Sequence, residues 1–486
     1  MNPLTFRPKT YEEIYNSINS ILADQNIPKT DSVICGYLAQ KITLKLWPTF
    51  LNGSLLKKNK NSTLTLEQIM KSNKLKYDRK RIAPKLTVSL LQFIKFSLLV
   101  MFSVTYIFFM PKIRSSKKLN LVYGLSKELI YKNSLQISCI DFFADLQPRL
   151  KRADSQVLIQ LQRILFRKKR NCQNFKVVLF IPLYLLRFNP EKKMKLIIML
   201  FYKYVEIILV SIRNPVIFEV ASEEIFQNMN RKTYTRIDSL YTTVSQWALQ
   251  PLLFHSIKNK NTNMIWYSNN VIPFFNKTRN AYDSDLSYLK SMAISHHFVW
   301  TKTFGEIIRA TAAKKYTVKE YILFYLPKNQ SIQKKYDVTI FDVTPAVVNA
   351  EYGYYSLKNC LKFLHDIRLV LNKLKEVKAI NTIALKPKRK YIRIHSRKYL
   401  TYLKVWEKSE ELVICNPDSN LFELISESRV VLVMPLSSPA LIAKHLGIPC
   451  CYFNPDKNYT FGNDYEGIEV INSKPKLLEF LKRNFG

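Results

Sequence analysis

The stretch Arg429–Asp456, RVVLVMPLSSPALIAKHLGIPCCYFNPD, constrains the fold more than any other part of the chain. Arg429 to Met434 is a short valine-rich run closed by Pro435, the pattern of a parallel strand buried on both faces. Ser438 stands where a helix N-cap is expected, with Pro439 at the first helical position. Ala440, Leu441, Ala443 and Leu446 supply the helix and its apolar face. Gly447 stops it, Pro449 lies just beyond, and Cys450–Phe453 is the next strand. Backbone N–H groups, two hydroxyls and the positive end of a helix dipole converge after the first strand and suit an anion. A plain βαβ unit with a good cap fits the same residues, because serine is a common N-cap.

Similar alternation extends over most of the chain. In the first half, strands are expected at Leu119–Tyr123, Lys176–Ile181, Pro215–Val220, Asn263–Tyr267 and His297–Trp300. Helices are expected at Leu196–Ile212, Thr243–Ile257 and Thr301–Ala312, the first of them buried, with Lys203 and Glu206 leaving a second membrane contact open. In the second half, Val338–Phe341, Asn381–Leu385 and Glu411–Cys415 are strands, Ser356 caps a long helix, another helix starts at Asn416–Ser419, and Lys474–Asn484 closes the chain. Strands alternating with helices give doubly wound parallel sheets. The division is a helical, basic N-terminal region over 1–117, a Rossmann-like domain over 118–315 and a second over 335–486. Ligands in such sheets lie at the C-terminal strand ends.

The N-terminal region has two parts of different character. Residues 56–85 are strongly basic, from Lys57 to Lys85. Leu86–Met110 is the longest apolar stretch, long enough at roughly 20 residues to cross a bilayer. Lys95 lies inside it, and basic clusters flank both ends, whereas a single span puts its basic flank on one side. A spanning helix, an interfacial or re-entrant helix on anionic lipid, and a buried core helix all fit.

Charge narrows the partner class. The chain carries 75 Lys+Arg against 36 Asp+Glu, a formal charge of +39, which implies an anionic partner. Its 486 residues contain 9 Gly, with no GxGxxG and no Walker A sequence. The seven cysteines lack CxxC spacing and the six histidines lack metal spacing, so no metal site or disulfide framework is expected. The basic residues spread along the chain, and no RNP or zinc-finger sequence accompanies them.

The candidate site collects at the strand tips of the second half. One tip contributes Asp342 and Thr344, the next Lys386, Lys388 and Arg389, the next Asn416 (with Asp418), and the last Ser437 and Ser438. Hydroxyls, a helix N-terminus and cations describe a phosphate or nucleotide pocket. The serine hydroxyls are expected to open into the interdomain cleft, with Lys386 or Arg389 within side-chain reach. A sugar acceptor would need a carboxylate base. Glu219 and Glu223, following a strand of the first half, are the candidates.

Three segments carry a resemblance: FDVTP at Phe341–Pro345, LKPKR at Leu385–Arg389 and MPLSSPALIAKHLGIPCCYFNP at Met434–Pro455. Together they resemble bacterial surface-polysaccharide glycosyltransferases of GT-B type, similar to Kdo transferases and capsule sialyltransferases. IWYSNN at Ile265–Asn270 and FVWTK at Phe298–Lys302 extend the resemblance into the first half. In that group a paired-serine motif and a His-Pro motif bind the cytidine monophosphate of the donor. Ser437-Ser438 matches the first, while Lys386-Pro387 stands where His-Pro is expected. The resemblance implies a metal-independent enzyme without a resident cofactor, working at the cytoplasmic face of the inner membrane. Its partners are a nucleotide-sugar donor, a glycan or lipid-linked acceptor and an anionic membrane surface, with no nucleic acid. Two other classes fit the composition: a non-catalytic, membrane-associated polysaccharide assembly protein, and a nucleic-acid-binding protein.

Overall fold

The computed structural model describes residues 37–41, 90–125 except 114, 155–161, 175–213 except 179, 220–242, 250–266 except 258–260, 275–318 except 279–280, 283–287 and 313, 333–343, 354–388 except 378, 396–461 except 410–411, and 463–485, with single positions at 15, 16, 19 and 345. The basic segment 56–85, the strand expected at Pro215–Val220 except its last residue, and Trp247 lie outside these.

Two seven-stranded sheets organise the chain. The first comprises β1 (Lys118–Leu125), β2 (Ser155–Leu161), β3 (Phe175–Val178), β4 (Ile237–Thr242), β5 (Asn261–Ile265), β8 (His296–Val299) and β9 (Lys315–Val318), in the order β3-β2-β1-β4-β5-β8-β9. Every pairing in it is parallel. The second comprises β10 (Tyr336–Phe341), β11 (Ile383–Lys386), β12 (Val413–Ile414), β13 (Ser428–Val433), β14 (Cys450–Phe453), β16 (Asp464–Tyr465) and β17 (Ile468–Ile471), in the order β12-β11-β10-β13-β14-β17-β16. It is parallel except at its β16–β17 edge. These are the two Rossmann-like halves expected. They are stitched together by a small antiparallel sheet in which β15 (Tyr459–Thr460) of the second half pairs with β6 (Phe275–Asn276) of the first, and β6 with β7 (Ala281–Tyr282).

Strand burial explains why continuous apolar runs mark the sheet. Val430, Val431, Leu432 and Val433 of β13 have no exposed surface, because helices cover both faces of a parallel sheet. The covering helices include α4 (Lys302–Ala312), α5 (Leu357–Glu376), α6 (Ser438–His445) and α7 (Lys474–Phe485). Ser356 caps α5 by accepting from the Asn359 N–H at 3.3 Å. Gly447, at φ 68°, ends α6 in a left-handed conformation that glycine adopts without a Cβ penalty. The Ile448 N–H reaches the Ala443 carbonyl and the Gly447 N–H the Lys444 carbonyl, the pairing of a Schellman turn.

Several expectations change. The Lys176–Ile181 strand stops at Val178, because Ile181 and Pro182 open a short helix whose first N–H bonds the Gln160 side chain. The helix expected at Asn416–Ser419 starts at Leu421, capped by Asn420. The helix expected at Leu196–Ile212 runs over Lys193–Arg213 and is buried on one side only: Leu196, Leu200 and Ile207 are buried, while Ile198, Phe201, Tyr202, Val205 and Leu209 are exposed. The apolar stretch at Leu86–Met110 yields a helix at Leu90–Phe109 with one buried and one exposed side. Among the described residues no helix is long and apolar enough to cross a membrane.

Candidate functional site

In the second sheet the chain leaves β10 toward β11 on one side, while β13 and β14 build the other side. The boundary between β10 and β13 is therefore the topological switch point, the position at which ligands of such sheets bind. The registers place Lys386, Phe341, Val433 and Tyr452 on one rung across β11, β10, β13 and β14. Asp342 and the loop Met434–Ser437 follow directly beyond that rung, on either side of the switch point.

The loop is held in an unusual shape. Leu436 has φ 61°, a left-handed conformation that costs a side-chain-bearing residue on the order of 1–3 kcal/mol. Leu436 is also buried, so both its side chain and its strained backbone are fixed by surroundings. The Tyr355 hydroxyl donates to the Pro435 carbonyl at 2.8 Å, and the Tyr452 hydroxyl to the Ser437 carbonyl at 3.1 Å. The Ser437 N–H donates back to the Met434 carbonyl at 3.3 Å.

That shape moves the helix boundary by one residue from the expected one. Ser437, not Ser438, is the N-cap of α6, and Pro439 falls in its first turn. The Ser437 side chain makes no capping hydrogen bond. Its hydroxyl is buried and without a partner, on a residue 4% exposed. The expectation that both hydroxyls stand open is thus corrected for Ser437, which is buried; Ser438 is partly exposed. A buried hydroxyl with nothing to bond is costly in a finished core, and this one stands at a helix N-terminus.

The neighbouring tips carry charge. Asp342 is buried and accepts from the Lys388 N–H at 3.3 Å. Lys386 is buried, and its ammonium donates to the Pro417 carbonyl at 2.8 Å, toward the turn after β12 and away from the serines. Burial pulls the Lys386 pKa below the ordinary lysine value, with Cys415, Asp342 and Asp418 pulling back toward the charged form. The Asp418 N–H closes a turn on the Asn416 side chain at 2.9 Å, leaving both residues at the exposed rim. Thr344 and Arg389 lie outside the described residues. The strand tips thus bring Asp342, Lys386, Lys388, Asn416 and the two serines to one sheet edge, while the Lys386 side chain turns from the serines to the β12 side.

Several site residues carry no sequence signal of their own. Tyr354 and Tyr355 precede α5, and the Tyr354 hydroxyl donates to Asn454 at the tip of β14 at 2.9 Å. Tyr452 reads as an ordinary strand aromatic. The left-handed Leu436 could be suspected only from its place between a proline and two serines. The first half meets the second beside this edge. The Thr301 and Tyr465 hydroxyls lie 3.2 Å apart, Tyr465 packs edge-on against Tyr452, and the Thr303 N–H donates to Glu466 at 2.9 Å.

Of the two candidate bases, Glu219 lies outside the described residues. Glu223 is in the first turn of α3 (Ala221–Asn230), where Ser222 donates to it at 2.9 Å and Lys41 stands 3.4 Å away. It also bonds Tyr37, whose pKa is raised by burial first and by Glu223 second. Among the described residues no group of three or more His, Cys, Asp or Glu could hold a metal ion. Cys360, Cys415, Cys450 and Cys451 are free thiols.

A family model described as "Polysaccharide biosynthesis PFTS motif protein" matches residues 204–481. Within that span, Pro435-Leu436-Ser437-Ser438 is where a proline is followed by an apolar residue and two hydroxyl residues. No curated protein matches the chain. Among solved structures the chain is similar to the wall teichoic acid polymerase TagF, at 11% identity and TM-score 0.37, over 81% of this chain and 88% of that one. It is also similar to sucrose-phosphate synthase from Thermosynechococcus elongatus, at 9% identity and TM-score 0.40, over 76% and 89%. A third is the UDP-forming α,α-trehalose-phosphate synthase from Burkholderia vietnamiensis, at 9% identity and TM-score 0.37, over 76% and 90%.

Proposed function

The chain belongs to the polysaccharide biosynthesis PFTS motif family, and from that premise we propose that it is a glycosyltransferase that moves a sugar from a nucleotide donor to a glycan or lipid-linked acceptor. The observation that carries this reading is the loop Pro435–Ser438. It sits at the switch point, strained at Leu436, with a buried, unpartnered Ser437 hydroxyl at the N-terminus of α6. The donor phosphate accepts from that hydroxyl at the N-terminus of α6, and the helix dipole adds to the attraction.

The chemistry follows from where charge develops. As the glycosidic bond breaks, negative charge accumulates on the nucleotide's phosphate. Donors fixed in place before the reaction stabilise that charge without reorganising. Lys386 holds the β12 turn, and Asp342 holds the Lys388 N–H, so both shape the floor on which the nucleoside rests. Glu223 or Glu219 takes the proton of the attacking hydroxyl, Glu223 from between Ser222 and Lys41. The paired serines favour a cytidine monophosphate-linked acidic sugar as donor, and metal ions have no part in this scheme.

Titration calorimetry of the purified chain with CMP, CDP, UDP and UMP tests the reading. At least one should bind, and Ser437→Ala should weaken it about ten- to a hundredfold, the loss of one hydrogen bond to a charged group. If no nucleotide binds, or the variant binds as tightly as the parent, the phosphate site is not here.

A further inference from the structure

Two long helices of the first half carry apolar surface on the side away from the protein. α1 (Leu90–Phe109) and α2 (Lys193–Arg213) lie antiparallel. The Lys193 ammonium reaches the Phe108 carbonyl at one end, and the Ser97 and Tyr204 hydroxyls meet at 2.9 Å nearer the other. Their inner sides are ordinary core. Phe96, Val100 and Ile107 of α1 and Leu196, Leu200 and Ile207 of α2 pack with Ile225, Phe226 and Met229 of α3.

Their outer sides repeat the pattern and are exposed. On α1 the exposed residues include Leu98, Met101, Phe102 and Phe109, the last 75% exposed. On α2 they include Ile198, Phe201, Tyr202 and Val205, with Tyr202 at 73%. Both sets follow the i, i+3, i+4 spacing of one helix face, so each helix has two apolar stripes, one inward and one outward. The exposed apolar residues run from Ile94 to Phe109 on α1 and from Met194 to Leu209 on α2, so two such stripes side by side make an apolar plane about 22 Å long, at 1.5 Å per residue. An exposed patch of that extent marks an interaction surface.

The charges around the plane select the partner. Lys192 and Lys195 are exposed at the end where α1 finishes and α2 begins, with Lys112 and Lys193 beside them, and Lys95 is exposed near the other end. Glu191 at that end is already shared by Lys195 and Lys232. An apolar plane with a cationic rim matches an anionic bilayer, acyl chains against the plane and headgroups against the lysines. The inner sides are buried in the protein's own core, so the pair lies flat in the interface. We propose that α1 and α2 together form a docking face for an anionic lipid surface, with neither helix crossing it. The proposal stands independently of the sugar-transfer reading.

Flotation of the full chain with phosphatidylcholine vesicles, with and without phosphatidylglycerol, tests it. The protein should float with the anionic vesicles and partition at least about tenfold less onto the neutral ones, in line with several lysines at the surface. A variant with Leu98→Gln, Phe102→Gln, Ile198→Gln and Phe201→Gln should lose flotation at an unchanged melting temperature. A single Phe102→Trp variant, safe at an exposed position, should show emission quenched by brominated acyl chains. The proposal is overturned if the parent stays below both vesicles or if the indole emission of the Phe102→Trp variant is not quenched. It is equally overturned if the protein is a dimer that the fourfold variant dissolves while vesicle binding is absent, since the occupant is then a second copy.

Discussion

The Tyr452 hydroxyl donates to the Ser437 carbonyl oxygen across 3.1 Å, tying the tip of β14 to the first residue of the α6 cap. With the Tyr355 hydroxyl on the Pro435 carbonyl, it brackets the left-handed Leu436 from both sides. A strained residue persists when its neighbours over-determine it. Tyr452→Phe and Tyr355→Phe should each cost about 1 kcal/mol, the net worth of one hydrogen bond. The pair together should let the loop relax and weaken nucleotide binding more than either alone. Urea denaturation and calorimetry on the two single variants and the double variant measure both effects.

A contrast between two serines separates capping from ligand binding. The Ser356 side chain caps α5, so Ser356→Ala should cost about 1 kcal/mol and leave nucleotide affinity nearly unchanged. The Ser437 side chain caps nothing, so Ser437→Ala should leave stability within about 0.5 kcal/mol while affinity falls. The reverse outcome would make Ser437 a structural cap after all.

The difference between the two halves in what could be read from residues has a physical cause. β13 and β14 contain the apolar runs Val430–Val433 and Cys450–Phe453, and β10 ends in Val338–Phe341, where Thr339 is the one polar residue. Each is followed by a Pro, Asn or Asp breaker, so their place and parallel pairing follow from pattern. β2 (SQVLIQL), β4 (IDSLYT) and β9 (KYTV) carry polar residues and escape that pattern. One reason is a buried polar pair, the Ser239 hydroxyl on the Asn120 side chain, which places a hydrophilic residue at the centre of the first sheet. At the site, strand tips and the serine pair are visible because breakers and capping residues are chemically distinctive. The Leu436 dihedral and the Tyr355 and Tyr452 bonds are not, because they depend on residues brought together by tertiary folding.

The packing of α2 depends on an ion pair that periodicity does not reveal. The Lys203 ammonium stands 3.0 Å from Glu224, whose side chain is 4% exposed, and 2.9 Å from Glu206. Glu224→Gln removes the buried partner and leaves the more exposed Glu206. The cost should reach up to about 3 kcal/mol, less than for a wholly unpaired buried charge because Glu206 remains. Chemical denaturation gives the loss of stability. Glu206→Gln, on the exposed side, should cost less than about 1 kcal/mol.

His297 makes the fold acid-sensitive. The Trp266 indole N–H donates to His297 Nδ1 at 3.0 Å, which requires an unprotonated nitrogen there and so a neutral imidazole. Burial, with Lys314 and His296 adding smaller contributions, pushes its pKa down to about 3, and burial alone pushes that of His255 to about 4. Both groups bind protons more readily in the unfolded chain, where the value is 6.5. Their stability contribution is therefore complete above pH 6.5 and is lost as pH falls toward the folded values. Each such histidine costs about 1.4 kcal/mol per pH unit across that range. Melting temperatures measured from pH 7 to pH 4 should fall steeply. In His297→Asn an amide oxygen can still accept from Trp266 but does not titrate, so the decline should be shallower by the share of one proton. An equally steep decline in that variant would move the acid sensitivity to other groups.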